Sequence, residues 1–114
     1  MNDAVIDVVI PNGASLSAAV YLGTKTLVGV VMPDAWTAAN LTLQAAVTET
    51  GTYNNVYDKA ATEFTITAAA SRAIALGSDD LIGIGRWIKV RSGTSGVPVN
   101  QGAARTIKLI LKGE

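Results

Sequence analysis

The sequence predicts an all-β fold: an antiparallel β-sandwich, jelly-roll-like or Greek-key, of eight to nine short strands. Three observations predict it. Short runs of alternating apolar and polar residues recur, as in AVIDVVI (4–10) and RTIKLILK (105–112), and period two turns one face of a strand to a core and the other to water. Turn-forming residues punctuate these runs at short intervals. No helical pattern exceeds two turns, so nothing in the chain is built to cross between parallel strands. The 114 residues suit one domain spanning 1–114, which at this size buries roughly two-thirds of its unfolded surface.

The elements follow in order. In AVIDVVI, Ala4, Ile6, Val8 and Ile10 share the inward face, while Val5, Asp7 and Val9 share the wetter one. PNG (11–13) carries Asn-Gly, a strong hairpin signal because both residues tolerate positive φ. LSAAVYL (16–22) alternates Leu16, Ala18, Val20 and Leu22; GTK (23–25) turns the chain into TLVGVVM (26–32). PDAWTAAN (33–40) is a connector with room for a helical turn. LTLQAAVT (41–48) puts Leu41, Leu43, Ala45 and Val47 on one side. A polar turn, ETGTYNN (49–55), leads to a short strand, VYD (56–58); EFTIT (63–67) turns Phe64 and Ile66 inward, and RAIAL (72–76) follows. GSDDLIGIG (77–85) reads as a loop with a helical turn capped by Ser78 or Asp79. RWIKVRS (86–92) sets Trp87, Lys89 and Arg91 on one face and Ile88 and Val90 on the other; the last strand turns Ile107, Leu109 and Leu111 inward and Thr106, Lys108 and Lys112 outward. Eighteen alanines favour helix by propensity; in a sandwich they are expected where two sheets approach closely.

Composition excludes most chemistry. The chain has no cysteine and no histidine, which rules out disulfides, thiolate zinc sites, cysteine nucleophiles and histidine-based triads within it. An enzyme is not expected, and no cofactor or metal is. Residues 1–80 carry three basic and eight acidic side chains, residues 81–114 six basic and one acidic. Such polarity suits head-to-tail docking of one copy on another. The first ten residues have two acids and no basic n-region, so no signal peptide is read there, and no apolar stretch is long enough for a membrane helix. Synthesis in the cytoplasm, with no membrane partner, is the expectation.

Individual motifs are weak. GIG (83–85) lacks the third glycine of a dinucleotide loop and precedes a strand instead of a helix. Asp79 and Asp80 are adjacent, outside any calcium-loop spacing, and Asp58 and Glu63 are a carboxylate pair only if a hairpin joins them. Arg86, Lys89, Arg91, Arg105, Lys108 and Lys112, with Trp87 among them, would form a basic ribbon if strands 86–92 and 105–112 were neighbours. The formal net charge of zero and pI near 6.2 argue against a dedicated nucleic-acid binder. LTLQAAVTETGTYNNVYD (41–58) and RWIKVRS resemble strands of discoidin-like sandwiches, which would make Tyr53, Tyr57 and Trp36 an aromatic platform for sugar; as a residue at a strand entrance, Trp36 is better placed as a core plug.

MPDAWTAANLTLQ (32–44), AAASRAIAL (68–76) and RWIKVRSGTSGVPVNQGAARTIKLIL (86–111) together resemble small structural proteins encoded among the head and tail genes of tailed bacteriophages. The resemblance implies a virion component with a sandwich or jelly-roll fold: a capsid cement or decoration protein on the shell surface. Its partners would be the major capsid protein and other copies of itself in a trimer or other homo-oligomer. The alternative it leaves is a tail- or fibre-associated module that binds host glycan. Low charge, 16% of residues, with many Ala, Val and Thr fits outer strand faces covered by partners.

The long segment from Ser92 to Gly102 connects the last two strands, and loops of this length usually carry function. Val97, Pro98 and Val99 form its apolar tip and Asn100 follows; with Arg91, Arg105 and Lys108 they are the expected protein-interface residues. If the tip reaches a neighbouring subunit, deleting residues 94–100 should leave a folded domain with weaker binding to its shell or its copies.

Overall fold

The computed structural model describes residues 4–77, 81, 84 and 86–113. The described residues form nine strands: β1 (Ala4–Ile10), β2 (Val20–Tyr21), β3 (Thr26–Val31), β4 (Leu41–Ala46), β5 (Asn54–Asn55), β6 (Thr65–Ile66), β7 (Ala73–Ala75), β8 (Trp87–Ser92) and β9 (Arg105–Lys112). They form two antiparallel sheets, a four-stranded one ordered β1-β9-β3-β7 and a five-stranded one ordered β2-β8-β4-β5, with β6 also on β4. No helix is present among the described residues. The all-β sandwich is the fold the alternation predicts.

The pairings define the wrapping. β5 lies opposite Gln44 and Ala45, and β6 lies opposite Leu41 and Thr42, on the same edge of β4. Between them the Val56 N–H donates to Leu43 O at 3.0 Å. The two are therefore one edge strand, interrupted by an excursion over residues 57–64. Counted so, the first strand pairs with the last, the second with the second-last, the third with β7, and the fourth with the interrupted strand. This is the chain folded over as one long hairpin and rolled, the wrapping of a jelly roll.

Inward faces meet in a single buried cluster. Ile10, Leu27, Leu41, Ile88, Ile107 and Leu109 are fully inaccessible to solvent and come from both sheets. β1 and β9 keep the predicted alternation throughout, with Val8, Ile10, Ile107, Leu109 and Leu111 buried.

Several expectations are corrected. PNG does form a turn, with Gly13 at φ 76°, but it closes no hairpin: β1 pairs with β9, and the chain after the turn crosses to the other sheet. LSAAVYL forms a regular strand only at Val20–Tyr21: Leu22 is buried as predicted, but Ser17 is buried as well while Ala18 is exposed. β4 is buried on both faces, Thr42 and Ala46 included, and Val47 lies beyond its end at 76% exposure. PDAWTAAN has no helical turn. Of the alanines only Ala45 and Ala46 are buried; the others occupy loops, edges and outer faces, where a small side chain costs little. The capped turn expected at Ser78 or Asp79 and the Asp79–Asp80 pair lie outside the described residues.

The connection between β8 and β9 is sewn into the fold. The Gly93 N–H donates to Asn40 O at 2.7 Å, and Val99 N–H to Ser92 O at 2.8 Å; Thr94 and Val97 exchange backbone hydrogen bonds at the tip. Gly93 is obligatory here: it sits at φ 91°, and a Cβ on it would lie 2.4 Å from Val97 O. Further along, Gln101 is buried at 1% exposure. Its Oε1 accepts from Thr37 N–H (2.8 Å) and Arg105 Nε (3.1 Å), and its Nε2 donates to Thr37 O (3.0 Å) and Ser92 Oγ (2.7 Å). Its backbone N–H donates to Ala14 O, and its carbonyl accepts from Gly13 N–H. Both amide protons and both lone pairs are thus used. The segment cannot be excised at 94–100 without losing the Val99–Ser92 bond and loosening Gln101, so that deletion would not test an interface cleanly.

Gln101→Leu keeps the bulk but strands the partners in Thr37 and Ser92. We expect a loss of about 2–4 kcal/mol in unfolding free energy. Asn100→Ala, one residue away and exposed, should stay within about 0.5 kcal/mol. Urea denaturation of the two variants beside the parent measures both.

Candidate protein interface

Period two leaves each sheet an outer face. On the five-stranded sheet that face carries Trp87, Lys89 and Arg91 from β8, as the alternation predicts, but it is covered. Trp87 packs against Tyr21 with ring centroids 4.8 Å apart and planes tilted by 43°. The Lys89 ammonium lies 4.4 Å from the centre of the Tyr53 ring, a cation–π contact.

Arg91 is the main correction among the expected interface residues, since only 6% of it is exposed. The excursion between β5 and β6 folds over it. Its Nε donates to Thr42 Oγ1 at 2.9 Å, and its Nη2 donates to Asn55 Oδ1 and Glu63 Oε2, each at 3.0 Å. The Thr42 hydroxyl donates to Gly93 O at 2.7 Å, and the Ser95 N–H donates to the Glu63 carboxylate. Arg91 therefore joins β8, β4, the edge strand and the β8–β9 connection, and is closed to any partner. Glu63 is committed to that pair, and Asp58 accepts from the N–H groups of Ala60 and Thr62 in its own turn. A hairpin does join the two acids, through the Tyr57–Glu63 bridge, but each carboxylate is engaged by partners of its own.

The remaining predicted residues lie apart. Arg105 is half-buried and bonded to Gln101 and Thr37 Oγ1. Lys108 is on the outer face of the four-stranded sheet, paired with Asp7 at 2.9 Å, both more than half exposed. At the loop tip Val97 is 70% exposed, Pro98 and Asn100 are exposed, and Val99 is half-buried. The basic ribbon does not exist, because β8 and β9 belong to different sheets. The aromatic platform does not form either: Trp36 packs against the core and donates its Nε1 proton to Ala39 O at 3.0 Å, while Tyr53 is occupied by Lys89.

Of the expected residues only Lys108 reaches the outer face of the four-stranded sheet, and the apolar surface beside it is one they miss. The register aligns Val5 with Ile110, Ile110 with Gly29, and Gly29 with Ala75, one apolar row across all four strands. The next row holds Asp7, Lys108, Val31 and Ala73. Val5 is 61% and Val9 43% exposed, and Ala73 and Ala75 are exposed. Ile110 leans over Gly29, whose Cβ position is 3.4 Å from Ile110 Cβ. The missing side chain and the bulge between Leu27 and Gly29 open a trough of about 270 Å³ lined by Val28, Val31, Ala73, Ala75 and Ile110. The signal was present in the sequence: Val5, Val9 and Ile110 are apolar residues at outward positions, where a solvated strand would carry polar ones.

Among the described residues no group of three acids, histidines or cysteines could hold a metal, and no helix is long and apolar enough to cross a membrane. Comparison with protein-family models, with curated proteins and with solved structures finds no match to this chain.

The two ion pairs should respond differently to neutralisation. Glu63→Gln leaves Arg91 buried without its counter-charge and should cost about 3 kcal/mol or more. Asp7→Asn at the exposed pair should cost less than about 1 kcal/mol. Chemical denaturation of the two single variants makes the comparison.

Proposed function

We propose that the protein is a virion structural component, a capsid cement or decoration protein that stabilises a phage head by binding between capsomers. Its partners on this reading are the major capsid protein and other copies of itself. The observation that carries it is the apolar row Val5–Ile110–Gly29–Ala75 on the outside of the four-stranded sheet. Water-exposed strands gain nothing from such a row, whereas a flat protein surface laid against it removes apolar area at about 25 cal/mol per Å². One neutralised pair, Asp7–Lys108, lies in the row beside it and can be re-paired with charges across a contact.

Three further features support the reading. Every buried side-chain nitrogen or oxygen among the described residues has a hydrogen-bond partner in the fold, so the buried polar groups act in scaffolding. The long β8–β9 connection, the five-stranded outer face and the excursion are all tied down, which suits a rigid part that adds stability to an assembly. Jelly rolls serve in viral shells and in lectins, an analogy of fold that agrees with the sequence resemblance and adds no site to it.

Purified protein should bind shells assembled from the major capsid protein in hundreds of copies per particle, counted by gel densitometry. A Val5→Lys/Ala75→Lys variant, changed at two exposed positions, should remain folded and lose most of that occupancy. A clean monomer in light scattering at high concentration, with no shell binding by the parent, would overturn the proposal.

A further inference from the structure

The interrupted edge strand leaves a second feature with chemistry of its own. β5 pairs with β4 for only two residues before the chain departs at Val56 into the excursion. The break opens a cleft of about 310 Å³ at the edge of the five-stranded sheet. Ala45, Ala46 and Val56 form its buried floor, and Ile84 contributes a wall. Thr52, Asn54, Tyr57 and Val47 stand around it, Tyr57 53% and Val47 76% exposed.

Three properties define what fits. None of the described residues lining the cleft is charged, so among them an ionic ligand would lose hydration and gain no counter-charge. The polar groups of Thr52, Asn54 and Tyr57 are a hydroxyl, a carboxamide and a phenol. Together they offer donors and acceptors at several points, and none of the three side chains makes a hydrogen bond within the described structure. The small apolar floor and the exposed phenol ring present flat apolar surface beside those groups. The ligand must therefore be neutral, rich in hydroxyls and apolar on one face, and at the lower end of the size range of small-molecule sites.

We propose that this cleft binds one neutral sugar ring, with the Tyr57 ring against its C–H face and Asn54 and Thr52 bonded to its hydroxyls. The inference is independent of shell binding, since the cleft is on the other sheet from the apolar row. A protein that fails to bind shells can still hold the sugar, and the reverse.

The test is titration of the ¹⁵N-labelled full chain with glucose, galactose, mannose and N-acetylglucosamine at millimolar concentrations, followed by NMR. At least one sugar should give saturable shifts confined to residues 45–47 and 52–57. Tyr57→Ala and Asn54→Ala should each weaken binding about five-fold or more, with the remaining spectrum unchanged. Thr52→Ala serves as the second probe if either variant disturbs the fold. Glucuronate should bind more weakly than glucose. Absence of shifts with all four sugars, shifts elsewhere, equal affinity in the variants, or a preference for the acid would overturn the proposal.

Discussion

The rolled chain has to be closed at the end where its intersheet connections gather, and Gln101 closes it. Three of these connections, residues 11–19, 32–40 and 93–104, hold only turns and isolated bridges. Gln101 meets all three: Ala14 and Gly13 through its backbone, Thr37 through its amide, and Ser92 and Arg105 at the strand ends on either side. A carboxylate there could not donate to Thr37 O and Ser92 Oγ and would bring a buried charge. A shorter amide could not span the same partners. With that residue fixed, β8 and β9 leave the clasp in opposite sheets, and each can act as an inner strand of its layer.

The same wrapping redistributes the charge. Read linearly, the chain is acidic first and basic last, a polarity that suits end-to-end attraction of two copies. In the folded molecule the ends are interleaved, because β1 lies on β9 and the excursion lies on β8. Asp7 meets Lys108 and Glu63 meets Arg91, so opposite halves of the sequence neutralise one another inside a single copy. Two acids of residues 1–80 and two bases of residues 81–114 are paired in this way.

Local signals were legible and long-range ones were not. The inward residues of β1 and β9 could be read from alternation alone, since both strands have one dry and one wet side. β4 could not: Thr42 and Ala46 are polar or small, and only the tertiary cover from Arg91, Trp87 and the excursion buries them. Asn-Gly announced a turn correctly but says nothing about which strand waits on the other side. Arg91 illustrates the limit most clearly. An arginine at an outward strand position is normally solvated, and its burial depends on Glu63 and Asn55, far away in the chain. Gln101 lay within a glycine- and serine-rich stretch whose composition suggested an exposed loop. The outward valines and Ile110 were readable as departures from the polar pattern, and they mark the candidate docking face.

The two candidate surfaces follow from the two ways this jelly roll departs from regularity. A bulge and a glycine in β3 open a trough in the outer face of the four-stranded sheet, while an insertion breaks the edge of the five-stranded one. The first departure adds a trough lined by apolar side chains to an outward face, a geometry that suits a protein surface. The second produces a small recess with three free polar side chains, which suits a small polar molecule. Because they belong to opposite layers, a copy docked through Val5, Ile110 and Ala75 leaves Asn54 and Tyr57 uncovered. Attachment to an assembly and capture of a small neutral ligand are therefore geometrically compatible in one molecule, and neither surface needs to change shape for the other to be used.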